Sequence, residues 1–373
     1  MPRARYEQVN VEATPWYHVV SRCVRRAYLC GEDAVTGHSY EHRRGWLVER
    51  IQQLAGVFAV DVAAYAVMSN HTHLVLRLDV DRARDWSVEE VLRRWTQVFT
   101  GPEMVQQYLR DPGGLVPVQV QWVQAQAEVY RSRLADLSWY MRVVNESIAR
   151  MANAEDGVTG RFWEGRFKSQ ALLDEAGVLT AMVYVDLNPI RARMAATPEE
   201  SEYTSVAQRL AALLDEASKP RKRGRPAAVK SAPVKNTNPH PEKPAKPTTE
   251  KREKLQKESR LAQLPLAPLM AFDATGELEA AIPFAFEDYL ELVEASGRVI
   301  REGKRGFIDG ETPKLLERLQ IDPERFILTS TQMMREFATA IGTPARIQAY
   351  CVDRQQKYLR GISAARALYP QAA

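Results

Sequence analysis

Two hydrophobic patterns take turns along the chain, one of period two and one with helical spacing. Trp16 to Val24 (WYHVVSRCV) alternates and carries β-branched residues, which predicts a strand. Ser39 to Leu54 places Leu47, Ile51 and Leu54 on one helical face. Phe58 to Met68 and His71 to Leu78 are two more predicted strands. The Ser69-Asn70 turn between them predicts an antiparallel hairpin. Helical spacing resumes over Trp86–Phe99 and Leu134–Ala152. Residues 100–132 between them hold Gly-Pro and Pro-Gly-Gly breaks and read as an irregular insertion. Arg161 to Leu173 reads as extended. Glu175 to Leu187 reads as a helix stopped at Asn188-Pro189, because proline cannot continue the hydrogen-bond ladder.

Beyond residue 262 the pattern is mostly helical: Phe286–Glu302, Thr312–Leu319, Ser330–Ile341, Pro344–Asp353 and Leu359–Leu368. It carries no catalytic signature and reads as a small helical domain for DNA or protein contact. The segment that precedes it is rich in Pro, Lys and Thr and has few large apolar residues, so it cannot offset the entropy of ordering and is expected to be disordered. The sequence therefore divides into 1–215, a basic linker over 216–262, and 263–373.

Charge sharpens this division. The net charge is +4, yet Lys219 to Arg260 holds 14 Lys/Arg and 4 Asp/Glu, a net of +10, so the remainder carries −6. Such a run is a solvated tether or a nucleic-acid contact. No apolar run approaches the roughly 20 residues of a membrane helix. The N-terminal stretch lacks the apolar segment of a secretory signal. Three cysteines form no disulfide framework or metal cluster, which points to a reducing cytoplasm.

Four groups of residues could carry chemistry. His71-Thr72-His73 lies on a predicted strand, so both imidazoles share a face; that geometry suits a divalent metal, and a structural pair is the blander reading of the motif alone. Tyr184 and Asn188 are one helical turn apart, a spacing that serves a nucleophile with an oxygen ligand or a packed tyrosine before a helix stop. In GRFWEGRFKSQAL (160–172), Arg161, Arg166 and Lys168 alternate with Phe162, Trp163 and Phe167. Cations there could hold phosphates while Trp163 stacks on unpaired bases; the other reading is an aromatic core face with a solvated basic face. Arg223-Gly224-Arg225-Pro226, flanked by basic residues, resembles an AT-hook, whose arginines enter the minor groove of A·T tracts. A plain basic linker accounts for it as well.

Taken in order, YHVVSRC (17–23), YAVMSNHTHLVLRL (65–78), GRFWEGRFKSQ (160–170) and MVYVDLNPIRARM (182–194) resemble the IS200-like, single-tyrosine transposases of the HUH superfamily, in the branch called REP-associated tyrosine transposases. The resemblance covers roughly residues 10–200, interrupted by the insertion near 80–132. It implies an α+β fold, with an antiparallel HUH or ferredoxin-like sheet and flanking helices. It implies His71 and His73 as ligands of Mg²⁺ or Mn²⁺, Asn188 as a third ligand, and Tyr184 as nucleophile. His18 is implied to support the site rather than ligate. The implied partner is single-stranded DNA at hairpins or palindromic repeats in a bacterial nucleoid, with the basic linker adding duplex contact. Family members occur as monomers and as dimers that exchange the tyrosine helix, so symmetry stays open. A DNA-binding regulator derived from such an enzyme is the competing expectation, and an unrelated metal-dependent hydrolase is a third.

Overall fold

The structure is a computed structural model that describes residues 8–24, 29–32, 37–218, 260–302 and 313–370. Its centre is a five-stranded sheet. The strands are β1 (Trp16–Arg22), β2 (Val60–Val67), β3 (His71–Leu78), β4 (Lys168–Leu172) and β5 (Ala340–Ile341), in the order β2-β3-β1-β4-β5. All neighbours are antiparallel except β4 and β5. The β2–β3 hairpin closes with Met68 N–H donating to His71 O at 2.9 Å. This is the expected α+β class.

Alternation along the strands gives the sheet two different faces. Tyr17, Val19 and Ser21 share one face with Thr72, Leu74 and Leu76. Helices α1 (Arg43–Val57) and α6 (Leu137–Glu155) pack together on that side. Asn145 Nδ2 of α6 donates to Ser21 Oγ at 3.0 Å, and Tyr140 Oη donates to Ile51 O at 2.9 Å. His18, Val20, Arg22, His71, His73, Lys168 and Gln170 lie on the other face. That face is covered by α7 (Glu175–Asp186), which continues after Leu187 into the short helix α8 (Asn188–Arg191).

Residues 100–132 differ from the expected irregular insertion. After α2 (Val80–Asp85) and α3 (Val88–Val98) come α4 (Glu103–Arg110) and α5 (Pro117–Leu134). The breaking residues sit between helices instead of dissolving them. Pro117 starts α5, where its missing N–H has no intrahelical partner to lose. Val123, Ala127, Tyr130 and Leu134 form the buried stripe of α5, and Tyr130 stacks on Trp95 of α3 at 4.3 Å.

The C-terminal segment is joined to this sheet. After α9 (Ser205–Ser218) come helices α10 (Phe286–Glu302), α11 (Lys314–Arg318), α12 (Pro323–Glu336), α13 (Pro344–Asp353) and α14 (Ile362–Leu368), with β5 between α12 and α13 in the chain. A helix was expected over Ser330–Ile341. It instead begins at Pro323, capped by the Asp322 side chain accepting from Arg325 N–H at 2.7 Å, and ends at the buried, extended Phe337. Met270 N–H donates to Val62 O at 2.9 Å, and a continuous hydrophobic cluster runs from Tyr17 to Tyr369. Residues 219–259, most of the basic linker with Arg223 and Arg225, lie outside the described residues.

The first turn of α7 is locked to β5. Asp174 caps it, one oxygen accepting from Gly177 N–H at 2.8 Å and the other from Thr343 N–H at 2.7 Å. A Cβ on Gly177 would stand 2.7 Å from Ile341 O, so only glycine lets the strand come this close.

Candidate active site

Sheet register assembles the histidines. Arg22 lies opposite His71, Val20 opposite His73, and His18 opposite both Val75 and Gln170. His18 is therefore the diagonal neighbour of His73, close enough for side chains to meet. Its Nε2 is 2.9 Å from His73 Nδ1, and its Nδ1 is 2.8 Å from Gln170 Oε1. The two imidazole planes are parallel within 2°, centroids 5.2 Å apart, so the rings meet edge to edge through this hydrogen bond. His71 meets His73 edge-on at 4.8 Å, and its Nδ1 is 2.7 Å from Asn70 Oδ1.

Burial makes all three imidazoles poor bases. Loss of solvent holds His18 down to about 4, with the Arg191 charge adding to it. The same cause, then Arg22 and Arg191, holds His71 down to about 4. His73 lies well below the usual histidine range, through burial first and then its neighbours His18, His71 and Arg191. At neutral pH the rings are uncharged, which is the form that binds metals.

Helix α7 sets Tyr184 over these rings, 5.5 Å from the His73 centroid and 5.8 Å from that of His18, both edge-on. Arg191 covers Tyr184, with its Cζ 4.2 Å from the ring centroid. Arg191 Nη2 donates to Asn188 Oδ1 at 2.5 Å, and Nη1 donates to Ser330 O of α12 at 3.3 Å. Below Tyr184, buried Asp186 accepts from Ser205 Oγ and from Tyr289 Oη, each at 2.6 Å, tying the end of α7 to α9 and α10. Burial raises the carboxyl pKa of Asp186.

The donor set can be tested against the implied divalent cation. With Nδ1 of each ring facing a partner, Nε2 is the atom left for a ligand, and His73 Nε2 is buried with no hydrogen-bond partner. Imidazole nitrogens without thiolate fit Mg²⁺ or Mn²⁺ when oxygen donors complete the shell. No group of three His, Cys, Asp or Glu suited to a metal occurs among the described residues. His71 and His73 thus fit as a pair of ligands. Asn188 is less open: its oxygen accepts from Arg191, while its buried Nδ2 has no partner.

The predicted DNA contacts separate. Arg166 and Lys168 are exposed. Arg161 is exposed but turns back on its own loop, with Nε donating to Trp163 O at 2.9 Å and Nη2 to Glu164 O. Trp163 does not stand out as a stacking platform. It is only 9% exposed, and its Nε1 donates to Asn145 O of α6 at 2.7 Å. Packing of Phe162, Trp163 and Phe167 into the core explains the difference. Two residues that sequence reasoning passed over belong here: Gln170 and Arg191. Arg191 follows Tyr184 by seven residues, two helical turns, a spacing the Pro189 break obscured.

No protein-family model matches the chain, and no curated protein matches it. A solved structure it resembles is described as a REP-associated tyrosine transposase bound to a REP hairpin. The two are 12% identical with a TM-score of 0.33, and the match covers 63% of this chain and 100% of that chain.

Proposed function

We propose that the protein cuts and rejoins single-stranded DNA through a covalent bond to Tyr184, as a transposase-type strand transferase acting beside hairpins. The carrying observation is the packing of Tyr184 against His73, whose Nε2 is buried without a partner. A nucleophile class and a metal-ligand class of side chain thereby stand in contact. Bound at His71 and His73, Mg²⁺ or Mn²⁺ would polarise the scissile phosphate and offset its developing charge. Tyr184 Oη attacks phosphorus and its proton passes to solvent. The P–O3′ bond breaks, and the departing oxygen takes up a proton as a 3′-hydroxyl. The 5′-phosphate remains on Tyr184. Because one phosphate ester replaces another, a second 3′-hydroxyl can reverse the step without a nucleotide cofactor. Arg22 beside His71, and Lys168 in the His73 row, supply cations for the flanking phosphates.

A second reading has its own observation. Tyr184 is only 5% exposed and lies under Arg191, which is itself bound to α12. That closed arrangement favours a DNA-binding regulator. Incubating hairpin-flanked single strands with protein and Mn²⁺, then denaturing, separates the two. A covalent adduct lost in Tyr184→Phe and His73→Ala supports strand transfer. Tight binding without an adduct on every hairpin tried overturns it in favour of the regulator.

A further inference from the structure

Two side chains, Gln170 and His18, connect the C-terminal segment to His73. Gln170 Nε2 lies 3.1 Å from Phe337 O and 3.0 Å from Ala338 O. Both carbonyls can only accept, so the amide nitrogen of Gln170 must face them. Its Oε1 is then fixed toward His18 Nδ1, 2.8 Å away. An amide oxygen also only accepts, so the single proton of neutral His18 sits on Nδ1. His18 Nε2 is left with a lone pair, and 2.9 Å away His73 must answer with a proton on Nδ1. By elimination the lone pair of His73 is on Nε2, the buried atom with no partner.

We infer that Phe337 and Ala338, through Gln170 and His18, fix the ring tautomer of His73 and so present its Nε2 lone pair to the site. Gln170 and His18 are positioning residues in this scheme, and the C-terminal segment completes the site instead of being an appendage. The segment can do this because β5 pairs with β4, the strand that carries Gln170. Ala171 N–H donates to Thr339 O at 2.8 Å, which holds residues 337–339 in register with Gln170. The inference rests on His73 being a ligand, but the tautomer itself exists without metal or DNA.

The test is a long-range proton–nitrogen correlation spectrum of full-length, metal-free protein labelled with ¹⁵N-histidine at neutral pH, the six histidines being assigned by substitution. His18 and His73 are each expected to carry the proton on Nδ1. A His73 proton on Nε2 in the unaltered protein overturns the inference, with no variant needed. Gln170→Met is expected to let both rings populate both tautomers and to weaken Mn²⁺ binding by about 10–100-fold, the scale of losing a partner that orients a ligand. Unchanged tautomers and unchanged Mn²⁺ affinity in that variant would also overturn it. Neither readout uses DNA, so failure of the relay and failure of the strand-transfer reading are told apart.

Discussion

Arg191 lies over Tyr184 with its guanidinium carbon 4.2 Å from the ring centroid, while Nη2 of the same group donates to Asn188 Oδ1 at 2.5 Å. One side chain therefore sets the ring of the proposed nucleophile and the amide of the proposed third ligand. Arg191→Gln removes the cation over the ring and the charge-assisted hydrogen bond. The expected loss is about 1–3 kcal/mol in urea unfolding, together with a fall in adduct yield. Arg191→Lys should not restore the yield, because an ammonium cannot reproduce the planar fork. Full adduct formation in the lysine variant would show that only the charge matters.

Gly177→Ala tests the seam between α7 and β5. The added carbon would stand 2.7 Å from Ile341 O, and a backbone carbonyl cannot swing aside as a flexible side chain can. Overpacking of this kind costs about 1–3 kcal/mol in equilibrium unfolding. A neutral substitution would mean that β5 does not hold its place beside β4.

Acid should weaken the fold through His18. This ring is fully buried, and its pKa falls from 6.5 to about 4 on folding. Between those values the unfolded chain binds the proton and the folded one does not, so stability rises with pH across that window. The contribution is complete above pH 6.5 and is lost as pH falls toward 4, a change of about 3 kcal/mol at most. His18→Gln should flatten the stability profile between those values. A profile unaltered by this substitution would contradict the burial of a neutral ring.

Trp163 and Lys168 should behave differently although they are near neighbours in sequence. Trp163→Ala opens the core and is expected to cost about 3–5 kcal/mol in stability. Lys168→Ala should leave stability within about 0.5 kcal/mol and lower the salt dependence of single-strand binding by about 0.7 in log–log slope, one phosphate contact. If Trp163→Ala folds normally and loses DNA affinity instead, the ring stacks on bases after all.

The legible parts of this fold are those with an apolar run bounded by a turn or cap signal. His71–Leu78 follows the Ser69-Asn70 turn and carries Leu74, Val75, Leu76 and Leu78, so its start and the shared face of His71 and His73 can be read directly. Helix α7 announces itself through Asp174 and its apolar run. Helices α4 and α5 are harder because Pro102, Pro112 and Pro117 look like breaks in a loop but mark the starts of elements. Strand β5 has two residues, too few for any period to show. The contacts of His18 with Gln170 and His73 depend on strand register, a property of the assembled sheet and not of any one segment. Trp163 alternates with cations whether its ring faces solvent or core, and only packing decides between them.

Strand transfer of this kind requires Tyr184 itself to become bonded to DNA. Cleavage of the reaction mixture with trypsin should release the peptide Ser169–Arg191, which contains Tyr184, and mass spectrometry can read its modification. This peptide is expected to carry a 5′-phosphate-linked nucleotide on Tyr184, formed only with single-stranded substrate and a divalent cation. Nicked DNA accompanied by an unmodified Tyr184 peptide, or a nucleotide carried on another residue, would contradict it.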